Sequence, residues 1–321
     1  MLRYGFLILV ICYCSIAQAQ TNLVPNGDFE EYYTCSSFII HLKNWEGCGS
    51  PDCFRSCNFT SPNNVAGYQY PQKGDSYVGL AQYYYFINDF REYLKIHLKK
   101  KLKKNCYYYL ILYYSNADNV QYYSNEVGVL FTANDVACDI SKYKLINQVP
   151  SLQNYNLMDT NSVNWMKFLG IYKAQGDEEW LIIGNFKNDA ESIIYFNEEQ
   201  DVNKLAYLYI DNVQLYDLCE DSTLIPGLEI KPAIPSGITL NYDGKNDYLK
   251  LMNPELFNSF RIRVFNRWGT KLYESNTPYF NWSGMLNGER VPIGVYQWQA
   301  EYTTINNPTI QYSTGNVTVL Y

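Results

Sequence analysis

Two histidines, His41 and His97, are the chain's only imidazoles. Neither sits in an HExxH frame, which would set two ring nitrogens and a carboxylate on one helix face for zinc hydrolysis. No GxSxG nucleophile elbow, P-loop or paired CxxC is present. The 32 acidic residues supply carboxylate pairs by number alone, but a glycosidase pair has no linear signature, and the densest cluster, Asp177-Glu178-Glu179, reads as a solvated turn. What the sequence does supply is recognition chemistry. Tyrosine occurs 33 times and aromatics make up 17% of the chain. Such rings pair an apolar face with a polar tip, and a sugar ring asks for that face flanked by amide or charged hydrogen-bonding groups. Trp45, Tyr68, Tyr70, Tyr84, Arg91, Asn119 and Tyr122, in segments outside the clearest strand cores, are the candidate ligand-binding residues. The competing reading is packing, since most tyrosines in so rich a chain serve the core or decorate the surface, and Arg91 beside Glu92 reads equally as a cross-strand ion pair.

These residues need a scaffold, and 321 residues exceed one ordinary core. With 47% hydrophobic and 18% charged residues the chain has apolar surface for packed domains. The abundance of tyrosine and short alternating runs between Asn, Gly, Pro and Asp clusters predict an all-β protein. Strands are expected at Ser76 to Leu80, Arg91 to Leu98, Cys106 to Tyr114, Val127 to Phe131, Met166 to Tyr172, Glu179 to Phe186 and Ala206 to Tyr216. In the last, Tyr207, Tyr209 and Asp211 would share one face and Leu208, Ile210 and Asn212 the other. The lysine run 99 to 104 falls between two strands and reads as a solvated hairpin loop. Residues 221–235 carry three prolines and read as a linker. A second unit, 236–321, alternates Phe260, Ile262 and Val264 with Arg261 and Arg263. It sets Tyr296, Trp298, Ala300 and Tyr302 opposite Gln297, Gln299 and Glu301, the rhythm of a small immunoglobulin-like sandwich.

The start of the chain reads as an export signal over residues 1–19: Arg3, an apolar stretch from Gly5 to Ile16, and Ala17-Gln18-Ala19 before a cleavage point at Gln20. That stretch is too short for a bilayer, and the longest later apolar run, Cys106 to Tyr114, is shorter still, so no transmembrane segment is expected in the mature chain. Charge excludes another partner: a net charge of −7 opposes nucleic acid. Seven cysteines follow the signal: Cys35, Cys48, Cys53, Cys57, Cys106, Cys138 and Cys219. Their spacing lacks the form of a zinc site, and export favours disulfides, with at least one thiol left over.

The second unit resembles the gliding motility-associated C-terminal domain of Bacteroidetes, the type B sorting domain of cargo for the type IX secretion system. The residues that carry the resemblance are DGKND at Asp243 to Asp247, FRIRVFNRWGTKLYES at Phe260 to Ser275, and WSG at Trp282 to Gly284. They continue with NGERVPIGVYQW at Asn287 to Trp298 and the terminal GNVTVLY. The chain departs from the family at Leu240-Asn241-Tyr242, where a Pro-Asn-Gly run is usual. The resemblance implies passage through the periplasm, recognition by the type IX secretion machinery, and a final place outside the cell or on its outer surface. Asn241, Asp243 and Asp247 lack the later glutamate of a calcium loop and read as an Asx turn.

Residues 20–220 resemble the galactose-binding-like jelly roll of Bacteroidetes surface proteins. The matching residues are NLVPNGDFEEY at Asn22 to Tyr32, SPDCFRSC at Ser50 to Cys57, GYQYPQKGDSYVGL at Gly67 to Leu80, REYL at Arg91 to Leu94 and YIDNVQLY at Tyr209 to Tyr216. The resemblance implies a Cys35 to Cys57 disulfide and an additional Cys48 to Cys53 bridge. It also implies a structural calcium held by Glu30 and Asp211, with Asp28 as a helper. The expected architecture is thus an N-terminal jelly-roll β-sandwich followed by an immunoglobulin-like β-sandwich. The expected function is an exported, non-enzymatic surface or secreted protein that binds glycan. The alternatives are a structural or adhesive envelope protein that uses the jelly roll for protein contacts, and a glycoside hydrolase.

Overall fold

The computed structural model describes residues 21–124, 126–138, 142–154, 162–198, 203–219, 230–240, 246–252, 254–304 and 307–320. The export signal, residues 221–229 of the linker, Asn241 and Asp243 lie outside them. Two compact units divide the chain, Met1–Glu220 and Asp221–Tyr321, and strands dominate both.

In the first unit two antiparallel sheets pack face to face as a jelly-roll sandwich. One sheet orders Trp45–Cys48, Tyr93–His97, Trp180–Gly184, Gly128–Thr132 and Leu152–Gln153. The other orders Met166–Lys173, Tyr107–Asn116, Asn203–Asp217, Ser76–Tyr84 and Asp52–Arg55. The period-2 alternation explains what lies between them. Leu94 and Ile96, Val129 and Phe131, and Leu181 and Ile183 from the first sheet meet Val78 and Leu80, Leu110 and Leu112, and Leu208 and Ile210 from the second in one buried core. Residues 99 to 104 do not close a hairpin, because the strands on either side belong to different sheets. Their charge is partly neutralised: Lys100 and Lys103 approach Asp217 at 3.5 and 3.9 Å, and Lys101 pairs with Glu179 at 3.1 Å.

The long strand Asn203–Asp217 fills the middle of the second sheet and departs from simple alternation. Its register on Tyr107–Asn116 shifts between Asp211 and Gln214, with Asn212 at φ 49°. This bulge returns Val213 and Leu215 to the core after Leu208 and Ile210. The opening segment clasps it. Asn22 donates to the Val213 carbonyl at 3.1 Å and accepts from the Leu215 amide at 2.8 Å, while the Val213 amide donates to the Gly27 carbonyl at 2.7 Å. Contact is so close that a Cβ on Gly27 would fall 2.0 Å from the Val213 oxygen, so glycine is required there.

Both sheets are also apolar on their outer faces, and each face carries its own cluster. Phe54, Tyr77, Ala81, Tyr207 and Tyr209 pack with Ala66, Val120 and Tyr123 outside the second sheet. Cys48, Tyr93, Leu130, Ile182 and Phe186 pack with Val136, Cys138 and Ile146 outside the first. This division corrects one expected bridge. Cys48 points to the outer cluster and bonds to Cys138, 90 residues on, whereas Cys53 is turned into the central core and carries a free thiol. A thiol on the outer face of one sheet and a thiol in the core between the sheets point apart and cannot share a bridge. Cys35 is bonded to Cys57 and Cys106 to Cys219. Between the first pair, Arg55 is 1% exposed, stacks its guanidinium 4.2 Å from the Tyr32 ring centroid and donates to the carbonyls of Thr34 and Ser36. The FRSC motif therefore serves packing.

The second unit is a sandwich with one large sheet, ordered Gly237–Thr239, Asn307–Leu320, Gly294–Thr304, Phe257–Phe265 and Lys271–Ser275. A smaller pair, Leu249–Lys250 with Asn281–Trp282, accompanies it. Its inward side chains form an aromatic chain: Phe260 stacks on Phe280 at 5.9 Å, and Trp282 meets both Tyr273 and the edge of Tyr296. A Cβ on Gly315 would lie 2.4 Å from Trp298, so the indole occupies the space that the glycine leaves open. On the other face Arg261, Arg263 and Lys271 converge on Glu274, and the contact with Lys271 leads those that hold its carboxyl down to about 2.

Burial pushes the Cys53 thiol up to about 12, so it should resist alkylation until the protein unfolds. Peptide mapping without reductant should recover the bridges 35–57, 48–138 and 106–219, with Cys53 labelled only in denaturant. A peptide joining Cys48 to Cys53 would contradict this arrangement.

Candidate functional site

The aromatic residues of the first unit separate into a packed set and a displayed set. Trp45 belongs to the first: it is 3% exposed, lies 5.0 Å from the Phe29 ring, and donates its indole N–H to the Asn26 carbonyl at 2.9 Å. The NGDFE turn closes over it, so the ring has no face for a ligand. Arg91 is likewise structural. It is wholly buried, pairs with Asp189 at 2.8 Å, and donates to the carbonyls of Lys187 and Phe90. No cross-strand pair with Glu92 forms, because Glu92 accepts from the Ala81 amide at 2.8 Å and from the Ser50 amide and hydroxyl.

Tyr68 and Tyr70 are exposed and touch edge to face at 5.5 Å, joined by a 3.0 Å hydroxyl contact. Asn119 is exposed too, but its backbone is occupied: its amide donates to the Ala66 carbonyl and its carbonyl accepts from Asn203. Tyr84 and Tyr122 fall into a larger continuous surface. From Phe196 the rings run to Tyr122 at 5.5 Å, on to Tyr85 stacked at 6.2 Å, then to Phe86 at 5.2 Å, Tyr84 at 5.5 Å and Phe90 at 5.4 Å. Tyr83 packs on Tyr122 behind them. Tyr85, Phe86, Tyr195 and Phe196 are 57%, 64%, 45% and 56% exposed, a grouping of exposed aromatic side chains of the kind that marks an interaction surface.

Two elements hold this face: the turn after strand Ser76–Tyr84, and the short strand Tyr195–Phe196 paired with Val120–Tyr123. Between the turn and residues 187–192 lies an open cleft of about 360 Å³, lined by Asn88, Asp89, Asn188, Asp189 and Ala190. Its walls are locked by reciprocal bonds: the Asp89 amide donates to Asp189 at 2.9 Å and the Asp189 amide to Asp89 at 2.8 Å. Burial, and after it the neighbouring Tyr122 and Asp189, raise Tyr83 above its ordinary value. An apolar platform thus adjoins amide and carboxylate hydrogen-bonding groups. Phe86, Tyr195, Phe196, Asn88 and Asn188 were not among the residues read from the sequence. The signal was the run YYYFIND at 83–89, whose apolar side chains overrun the strand into a turn that should be polar.

The acidic residues divide in the same way. Glu30 and Asp211 reach one loop: Glu30 accepts the amides of Asp75 and Ser76 through Oε1, and Asp211 those of Gln72 and Lys73 through Oδ2. Asp211 is wholly buried, and burial pushes its carboxyl up to about 8 against three amide bonds; Glu30 is raised for the same reason. Asp28 instead pairs with Lys73 at 2.9 Å. The two carboxylates offer the hard oxygen donors that calcium takes, and Oε2 of Glu30 accepts no hydrogen bond among the described residues. They belong to no group of three or more clustered His, Cys, Asp or Glu ligands; the one such group among the described residues, Cys106, Asp217 and Cys219, has its two sulfurs bonded to each other. Glu178, in the cluster expected to be a solvated turn, is instead buried and accepts from the Tyr172 hydroxyl and the Gln175 and Gly176 amides.

Glu92 is pushed up to about 7, chiefly by burial, and its neighbour Asp52 is raised in the same sense. An acid raised in the folded state holds its proton where the unfolded chain has released it, so its contribution to stability is present at low pH and is lost as pH rises through 7. Melting temperature should therefore fall between pH 5 and pH 8, and Glu92→Gln should flatten the slope; a stability that climbs over this range would contradict it.

In the second unit, residues 232–319 match the family model described as "CHU_C Type IX secretion signal domain". No curated protein matches the chain. Among solved structures, a cleaved adhesin domain of Lys-gingipain from Porphyromonas gingivalis aligns over 59% of this chain and 97% of its own, at 10% identity and a TM-score of 0.31. The adhesin domain of Epf from Streptococcus pyogenes aligns over 94% of this chain and 98% of its own, at 9% identity and a TM-score of 0.29. The glycoside hydrolase domain of Endo-D from Streptococcus pneumoniae aligns over 85% of this chain and 37% of its own, at 7% identity and a TM-score of 0.27. Similarities this slight assign neither ligand nor reaction. No helix among the described residues is long and apolar enough to cross a membrane. The C-terminal unit is a type IX secretion signal domain, and the chain is marked by it for export to the cell surface or the medium.

Proposed function

We propose that the first unit is a non-enzymatic binding module that takes glycan on its aromatic face, and that the second unit brings it to the cell exterior. The observation that carries this reading is the series of exposed Tyr85, Phe86 and Phe196 joined through half-buried Tyr122, beside the Asn88, Asp89, Asn188 and Asp189 cleft. Rings of this kind cover the apolar face of a pyranose, while the cleft's amides and carboxylates accept and donate to its hydroxyls. Binding needs no proton transfer, and the most perturbed acids nearby, Glu92 and Asp52, are committed to Ser50, Ala81 and Tyr207. Delivery of the purified protein to a glycan array should give a defined set of sugars. Phe86→Ala, at an exposed position, should weaken their binding by about tenfold or more without lowering the melting temperature.

A second reading, adhesion through protein contacts, is favoured by one feature: Ile87 and Ile193, 46% and 57% exposed, are aliphatic and offer a sugar no stacking face. An array with no bound sugar would favour it. Release of reducing sugar from polysaccharide would overturn both readings in favour of a glycoside hydrolase.

A structural calcium at Glu30 and Asp211 belongs to the same proposal. A divalent cation there would offset the cost of placing the buried Asp211 carboxylate beside half-buried Glu30, and fasten the opening segment to the last strand of the unit. Calcium should raise the melting temperature relative to chelator, and Asp211→Asn should remove the difference. A melt indifferent to calcium would exclude the site.

A further inference from the structure

A groove of about 480 Å³ opens in the second unit between the turn at 266–269 and the segment 289–295. Trp268, at 78% exposed, forms one wall, and Leu286, Ile293 and Val295, at 38%, 59% and 57%, line the other. The indole is displayed by construction. Asn266 accepts from the amides of both Trp268 and Thr270 through its side-chain oxygen, and its carbonyl takes the Gly269 amide, which fixes a tight turn with Gly269 at φ 77°. The opposite wall is held from behind, where the Tyr296 hydroxyl donates to the Pro292 carbonyl and the Val291 amide to Gly284. A small sandwich that buries its other tryptophans, Trp282 and Trp298, thus holds a third rigidly in solvent.

Charge says what fits beside it. Arg267 stacks its guanidinium 5.0 Å from the Trp268 centroid and has no carboxylate partner among the described residues, unlike Arg261 and Arg263, which Glu274 neutralises. Arg290 lies on the groove with it, and Glu289 is the one carboxylate among the groove's lining residues, which leaves the lining with a net positive charge. The sequence from 236 to 321 has seven Lys and Arg against six Asp and Glu, whereas 20–235 has 17 against 26, so the sorting unit is the less acidic part of an acidic chain. We propose that this groove is the surface read by the type IX receptor, and that its occupant is an extended receptor segment bearing a carboxylate beside an apolar side chain. The carboxylate meets Arg267 and the apolar group lies between Trp268 and Ile293. This rests on the sorting role of the unit.

The test uses the full chain in cells, comparing the extracellular fraction with the fraction retained in the periplasm. Trp268→Ala and Arg267→Glu should each cut the extracellular fraction by about tenfold, the effect of losing one interface anchor, while Arg267→Lys keeps most of it. Tyr312→Ala, on the exposed strand Asn307–Leu320 and 74% exposed, should be exported normally. Melting temperatures of the purified variants separate lost recognition from lost folding. Normal export of Arg267→Glu and Trp268→Ala, or an equal loss for Tyr312→Ala, would overturn the groove. Normal export after deletion of 236–321 would instead overturn the sorting role itself.

Discussion

The sheets of the first unit are apolar on both faces, and much else in the structure follows from covering them. A sandwich buries the inner faces by stacking the sheets, but the outer faces need a second cover. Val136, Cys138 and Ile146 cover one, tied down through Cys48, and the turn at Ala66 together with the strand Val120–Tyr123 covers the other. Aromatic residues suit this outer layer because tyrosine can bury its ring and still hydrogen-bond at its tip. Tyr77 donates to the Gln69 carbonyl, Tyr93 to that of Asn185, and Tyr207 to Asp52. Where the cover ends, at the turn after Tyr84, the same aromatic layer meets solvent and becomes the candidate ligand face.

Alternation made the all-β class and the positions of the strands legible, since Val, Ile, Leu and Tyr at every second residue leave little choice of period. It could not say which sheet each strand joins. Cys48 and Cys53 are five residues apart, yet the chain changes sheets between them, so proximity in sequence suggested a bridge that the sandwich forbids. The bulge after Asp211 was equally hidden, because it answers to the clasp of Asn22 and Gly27 on Val213 and not to any local pattern.

The candidate site was legible in part for a related reason. Composition pointed to aromatic recognition, and Tyr84 and Tyr122, both half-buried, pack against the exposed rings Phe86 and Tyr85. Residue type alone cannot distinguish a displayed ring from a packed one, and Trp45 and Arg91, the most ligand-like by type, are spent inside on Asn26 and Asp189. The reverse holds in the second unit, where the motif FRIRVFNRWGTKLYES identified the family because its turn geometry and its outward Trp268 are both written in consecutive residues.

The two units thus carry different physical specifications: an acidic, disulfide-bonded sandwich with an aromatic outer layer, and a cysteine-free, nearly neutral one that bears the export mark. The most direct measurement is the location of the tagged full chain in cells with and without a working type IX system. Surface or medium is expected in the first and periplasm in the second; the same extracellular amount in both would contradict the sorting role of the C-terminal unit.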